Sequence, residues 1–145
     1  LPHNKVLYLS FAQCMTVKNM SFKVGQTMTI VGVPNRDAAS FSVNIAPDEQ
    51  EVALHFNPRF GAHGDNNTVV CNSYERGRWG QEQRVGRFPF HRGEECKIII
   101  GFTSTEFLVT LADDSQIHFP NRLGLKKYSV ITFKGDVRIR SFKIK

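Results

Sequence analysis

The sequence predicts an all-β sandwich or barrel, and three observations carry that prediction. Short apolar runs recur along the 145 residues, turn-forming residues separate them, and several runs alternate apolar and polar side chains with period two. The alternation matters because successive strand side chains point to opposite faces, so it marks a strand buried on one side. No window carries the sustained apolar spacing of a helix, and no internal repeat is present, so helix content should be close to nil. One domain is expected, since a chain of this length buries roughly two-thirds of its unfolded surface without disulfide or metal staples.

Taken in order, TMTIVGV at 27–33 ends in VPNRD, SFSVNIA at 40–46 ends in APDEQ, and VALHFN at 52–57 is followed by GAHGDN. TVVCNS occupies 68–73. HRGEE leads into CKIIIGFT at 96–103, and EFLVTLA at 106–112 turns through ADDS into SQIHF at 115–119. PNRLG separates that run from YSVITFK at 128–134. The last run, DVRIRSFKIK at 136–145, changes parity midway, with Val137 and Ile139 on one face and Phe142 and Ile144 on the other. A bulge near Arg140 and Ser141 is therefore predicted, and the lysines of this run suit an edge strand.

The net charge of +6 comes from 19 basic and 13 acidic residues, and the basic ones are spread along the chain rather than gathered in a block. That pattern reads as solvated surface and argues against a nucleic-acid partner. No apolar run approaches the ~20 residues of a membrane-spanning helix, so membrane insertion is not expected. Cys14, Cys71 and Cys96 are odd in number and lack CxxC spacing or a histidine at zinc-finger distance. Free thiols in a reducing compartment fit better than a disulfide framework or a zinc site, and no cofactor or metal is expected. The N-terminal LPHNKVLYLSFAQC has a short apolar run, Val6 to Ala12, behind a lone lysine, with Ser10 and Ala12 spaced like a cleavage site. As a signal peptide it is poor, and residues 1–14 are read as an extension preceding a domain at 15–145.

Period two makes one prediction that bears on function. In VALHFNPRF, residues Val52, Leu54, Phe56 and Phe60 share a parity and should face the core, which places His55, Asn57 and Arg59 in a row on the opposite face. A bland solvent face favours Lys, Glu and Thr. A histidine, an asparagine and a fork-shaped arginine, about 7 Å apart in succession, can instead address the hydroxyls of a sugar ring. Asn72 in the next run could extend the row sideways. Trp79, the single tryptophan, sits in RWGQEQR among polar residues, and an exposed indole offers a platform for the C–H face of a pyranose. Glu82 and Arg84 share a parity as acceptor and donor, and with Arg59 could form an ion-paired network. Trp79 has the opposite parity, so bringing it and Glu82 to one ligand requires a bend or bulge, for which Gly80 is the obvious place.

HFNPRF, VVCNS and WGQEQR, in that order and spacing, together with FPF at 88–90 and FPNRLGL at 119–125, resemble the signature of the galectins, the β-galactoside-binding lectins. The resemblance covers roughly residues 15–145 and is to single-domain prototype galectins of the vertebrate type. It implies a two-sheet antiparallel jelly-roll-like sandwich whose concave sheet holds the sugar. His55, Asn57 and Arg59 would bond the galactose O4 region, Asn72 and Glu82 its O6, and Trp79 would stack on the ring. Arg59, Glu82 and Arg84 would reach the adjoining glucose or N-acetylglucosamine, and His63 and Asp65 in GAHGDNN could extend the site, partly through water and by pairing with arginine.

The resemblance further implies calcium-independent binding of β-galactoside glycans on glycoproteins and glycolipids. It also implies a cytosolic origin with unconventional secretion, so that the sequons at Asn19 and Asn66 stay unmodified. A homodimer joining the terminal strands, around 16–22 and 137–144, is expected. Similar prototype chains begin near the equivalent of Met15, and the preceding extension could obstruct that contact. Catalysis is not expected: a glycosidase needs a carboxyl with a raised pKa, whereas arginines beside Glu82 would keep it ionised, and Asp65 is the only other acid nearby. The alternatives are an interaction protein on this scaffold, or a basic module for sulfated glycans with weak affinity for neutral sugars.

Overall fold

The computed structural model describes the backbone of residues 5–8 and the whole of residues 14–145. Among the described residues the elements are all strands: β1 (Lys5–Tyr8), β2 (Cys14–Lys23), β3 (Thr27–Pro34), β4 (Phe41–Ala46), β5 (Val52–Ala62) and β6 (Asp65–Glu75). They continue with β7 (Arg78–Trp79), β8 (Gln83–Val85), β9 (Cys96–Phe102), β10 (Glu106–Thr110), β11 (Gln116–Pro120), β12 (Lys127–Gly135) and β13 (Val137–Ile144). One sheet runs β1-β13-β3-β9-β10-β11 and the other β2-β12-β4-β5-β6-β7, with β8 also pairing β6. The pairings are antiparallel, which suits sheets buried on one face only.

The core lies between the sheets. Phe22, Phe56 and Phe133 of one sheet meet Phe102, Phe107 and Phe142 of the other, all with 2% exposure or less. Phe133 and Phe142 cross the interface edge to face at 5.8 Å, and Phe22 lies 5.3 Å from Phe102. Each such ring stabilises the fold by roughly 1.5–3 kcal/mol through burial. Phe133→Ala, which also leaves a cavity, should cost about 3–5 kcal/mol.

The predicted runs all appear as strands, and the last one is bulged where its parity changes, with the β13–β3 register shifting between Ile139 and Ser141. Three expectations need correction, and one strand escaped the alternation. β5 and β6 are longer than their apolar runs and close GAHGDN into a tight hairpin, with Ala62 opposite Asp65 and positive φ at His63 (52°) and Gly64 (83°). Two successive left-handed residues match the twist of a two-residue hairpin turn. Val52 is not a core residue: the β5–β6 register shifts between Val52 and His55, and this bulge turns Val52 to the outer face.

The final strand is not at the edge either. β1 pairs along it, Lys5 opposite Ile144 through Tyr8 opposite Ser141, so β13 lies between β1 and β3. Finally, β2 escaped the pattern because only its last turn of chain, Met20 and Phe22, is buried. Of the predicted extension, residues 1–4 and 9–13, with Ser10 and Ala12, lie outside the described residues.

Candidate functional site

The alternation in β5 acts as predicted around the site. Leu54, Phe56 and Phe60 turn into the core, leaving His55, Asn57 and Arg59 on the outer face of the seven-stranded sheet. Cross-strand register then supplies their neighbours. Asn72 stands opposite His55 on one side, and Asn44 stands opposite it on the other. Beyond Asn44 comes Thr132 of β12, and one row along, Ser42 stands opposite Lys134.

The conflict of parity between Trp79 and Glu82 is resolved by one extra residue. Trp79 pairs with Tyr74, while Gln83 pairs with Cys71, so four steps on the β7–β8 side oppose three on β6. The surplus residue exchanges the two faces, and Trp79 and Arg84 therefore both lie over the outer face of β6. Gly80 sits in that bulge with an ordinary backbone. Its N–H donates to Ser73 O, and its carbonyl accepts from Asn72 Nδ2 at 3.0 Å. What glycine supplies there is space: a Cβ would stand 2.9 Å from Arg122 Nη1 and 3.3 Å from Asn72 Oδ1.

These elements enclose a cleft of about 520 Å³, lined by His55, Asn57, Arg59, His63, Asn72, Trp79 and Glu82, with Ser42 and Lys134 at its β12 end. Asp65 and Arg84 do not line it but bond to Arg59 and Glu82, which do. Trp79 is 51% exposed, and its indole is held at the edge of the cleft by His55 (ring centroids 4.9 Å apart) and Tyr74 (5.1 Å). The tryptophan thus keeps aromatic company on two sides while half of its surface stays open.

Among the described residues no buried side-chain N or O lacks a partner, so the bonds already made define the capacity left for a ligand. Asn57 Nδ2 donates to Phe41 O at 2.7 Å, and its Oδ1 accepts from Arg59 Nε at 2.9 Å. Arg59 Nη1 donates to Asp65 Oδ2 at 2.7 Å, leaving Nη2 for the cleft. Arg84 donates through Nε and Nη2 to Asp65, at 3.3 and 3.2 Å, and through Nη1 to Glu82 Oε1 at 2.6 Å. The predicted Arg59, Glu82 and Arg84 network exists only with a fourth member. Arg59 and Glu82 do not pair directly, and Asp65, which the resemblance implied would pair with arginine, bridges the two arginines.

Charge follows this geometry. Hydrogen bonds from Arg84 and then Arg59 hold the Asp65 carboxyl below the usual carboxylate range, and the same bonds raise Arg84. His55 is pushed down to about 4, first by burial and next by the Arg59 charge, with Lys134 adding to the effect and Asn57 and Glu82 opposing it. Its tautomer is set by Asn44. The Asn44 amide nitrogen donates to Ser42 Oγ (3.0 Å) and Thr132 O (3.2 Å), so Asn44 Oδ1 must accept, and His55 Nδ1–H donates to it at 2.6 Å. His55 Nε2 is therefore an acceptor facing the cleft, not the donor that its residue type suggested.

Two supporting residues escaped sequence reasoning. Arg122, in the PNRLG turn, donates to Asn72 Oδ1 (3.2 Å), Ser73 Oγ (3.1 Å) and Gln81 O (2.9 Å), clamping the bulge to β6. Nothing local to Arg122 signals that role. Asn44 did carry a signal, because Phe41, Val43 and Ile45 share a parity that leaves Ser42 and Asn44 outward.

The family model described as galactoside-binding lectin matches residues 13–144. A β-galactoside-binding lectin of Electrophorus electricus is 49% identical over 128 residues, covering 88% of this chain and 95% of that one. Among solved structures, CG-16, a homodimeric agglutinin from chicken liver, superposes with a TM-score of 0.87 at 40% identity, covering 92% of this chain and all of that one. Congerin II liganded with lactose and MES superposes with a TM-score of 0.87 at 32% identity, covering 91% and 99% of the two chains.

Proposed function

Because this chain belongs to the galactoside-binding lectin family, we propose that its cleft binds β-galactosides such as lactose and N-acetyllactosamine and that it acts as a lectin without catalysis. The observation that carries the reading is the convergence of unused hydrogen-bonding capacity beside an open indole. His55 Nε2 accepts while Arg59 Nη2 and the second N–H of Asn57 donate, a set suited to an axial hydroxyl that must both give and take a proton. Such a hydroxyl is the galactose O4, which the 4-epimer glucose presents equatorially. Glu82 keeps one carboxylate oxygen free and Asn72 one N–H, placing an acceptor and a donor for O6. Trp79 supplies the apolar platform for the C–H face of the ring.

The site is built in advance. Asp65 fixes both arginines, Asn44 fixes His55, and Arg122 fixes Asn72, so little side-chain freedom is lost on binding. Every group in this scheme is a protein side chain, so chelation of calcium should leave binding intact. Neither acid suits proton donation: Glu82 accepts from Arg84, and Asp65 is held ionised by two arginines. As a dimer the protein would bridge glycoconjugates by avidity. Synthesis in the cytosol with unconventional export accords with free thiols at Cys14, Cys71 and Cys96.

Calorimetric titration with lactose in chelator tests the reading. Saturable heat for the parent chain, and its loss or marked weakening in Trp79→Ala, are expected. No heat from the parent, or equal binding by the variant, would overturn it.

A further inference from the structure

Large apolar side chains are seldom open to solvent on this protein, and those that are do not lie scattered. Among the described residues three large hydrophobics are exposed, Val24 at 39%, Trp79 at 51% and Leu125 at 43%. Trp79 belongs to the cleft. Val24 and Leu125 belong to two turns that adjoin at one end of the sandwich, where the N–H of Val24 donates to the carbonyl of Lys126 at 3.1 Å. A single exposed hydrophobic needs no explanation, but two of three on adjoining turns make a feature.

Both turns are held in place by their own hydrogen bonds. Between β2 and β3 the Gln26 side chain accepts from the Lys23 N–H at 2.7 Å, and Gly25, with φ at 94°, donates to Phe102 O at 2.8 Å. Between β11 and β12 the buried Asn121 amide donates to Leu125 O at 2.9 Å and to Ser104 O at 3.1 Å. The Leu125 N–H donates to the Tyr128 hydroxyl at 3.3 Å. Leu123, in the same turn, packs against the core, whereas Leu125 is left outside it.

The surroundings of the two side chains are cationic. Lys23 stands opposite Lys127 in the β2–β12 register, and Lys126 follows Leu125. All three lysines are exposed, and among the described residues none of them enters an ion pair. Residues 23–27 and 121–127 contain no acid, and neither do residues 1–13. Glu75 and Glu106 border this end. Glu75 is close enough to act on the Tyr128 hydroxyl, and Glu106 pairs with His118 at 2.9 Å. Like charges opposite one another on paired strands repel, and apolar tips among them are unfavourable in water. A surface that is negative at its face and apolar beneath relieves both.

We propose that this end of the sandwich docks on an anionic lipid bilayer, with Val24 and Leu125 entering the interface and Lys23, Lys126 and Lys127 meeting the anionic headgroups. Such docking buries two side-chain tips and needs no membrane span. A soluble polyanion would engage the lysines but leave both apolar side chains in water, so the bilayer is the better fit. The surface is separate from the sugar cleft, since none of these five residues lines it.

The test is co-sedimentation with vesicles of phosphatidylcholine alone and of phosphatidylcholine with about a quarter phosphatidylserine, at low and high ionic strength. The parent chain should bind the mixed vesicles at low salt, bind the neutral ones about tenfold less, and be released as salt rises. Each lysine near such a surface contributes about a fivefold factor, so replacing both Lys126→Gln and Lys127→Gln should weaken binding about 25-fold. Leu125→Gln, which keeps every charge, should weaken it about tenfold. Both variants should keep the parent's affinity for lactose, which shows that they fold. Excess lactose should leave vesicle binding unchanged, because the vesicles carry no galactoside. Failure of the parent to bind mixed vesicles, or parent-like binding by the lysine variant, would overturn the proposal. Parent-like binding by Leu125→Gln would overturn it as well, since the contact would then be one that any polyanion could make. Release by lactose would do the same by placing the contact in the cleft.

Discussion

The state of His55 yields the sharpest prediction. If its Nε2 accepts a galactose hydroxyl, protonation of the ring must abolish that bond, so affinity should follow the neutral fraction. An ordinary histidine with a pKa near 6.5 would be only about 3% neutral at pH 5, and lactose binding would weaken about thirtyfold from its value at pH 7.5. With the pKa lowered to about 4, roughly nine-tenths of the rings stay neutral at pH 5, and affinity should hardly change until the solution approaches pH 4. The same shift has a stability consequence. A base whose folded pKa is depressed binds fewer protons in the native state, so its contribution is complete above about pH 6.5 and is lost as pH falls toward 4. A shift of this size corresponds to about 3 kcal/mol in all. Lactose titrations across pH 7.5 to 4.5, urea unfolding over the same range and long-range nitrogen NMR of the ring provide the assays. His55→Gln should lose this acid-side stability slope. A binding midpoint near pH 6.5, or a proton found on Nε2 rather than Nδ1 in the free protein, would refute the reasoning.

Four further outcomes are expected. Trp79→Ala should reduce lactose affinity by about 1–3 kcal/mol, the scale of a ring stacked on an aromatic face, while urea unfolding shifts little because the indole is half exposed. Arg59→Lys keeps the charge but cannot bond Asn57, Asp65 and a ligand together, and should weaken lactose binding by roughly 1.5–3 kcal/mol in calorimetry. Gly80→Ala should displace Arg122 and with it the Asn72 amide, visible as an altered Asn72 side-chain NMR signal and a fall in affinity of about tenfold. Deletion of residues 1–9 removes β1 and uncovers β13, so sedimentation velocity should show a larger dimer fraction than for the whole chain; an unchanged distribution would mean that β1 does not guard that edge.

Much of this protein could be read from alternation alone. The parity of VALHFNPRF put His55, Asn57 and Arg59 on one face, because alternate side chains of a strand diverge whatever the strand packs against. The parity change in DVRIRSFKIK located the β13 bulge for the same reason. The conflict of parity between Trp79 and Glu82 even demanded the irregularity at Gly80. Alternation failed at Val52, where a bulge visible only in the pairing with β6 reversed the face. It was silent on most of β2, which lies at a sheet margin and buries too little to leave a pattern.

The sequence by itself thus determined most of the strands and the chemical types available to the cleft. Tertiary structure decided what those side chains can do. Asn44 makes His55 an acceptor, Asp65 ties Arg59 to Arg84, Arg122 props Asn72 from 50 residues away, and Lys134 lines the β12 end of the cleft. The physical reason is that a strand's own period sets only the face a side chain occupies, whereas its hydrogen-bond partners come from neighbouring strands. Those neighbours are chosen by sheet order and register, which depend on how the two sheets close over one core.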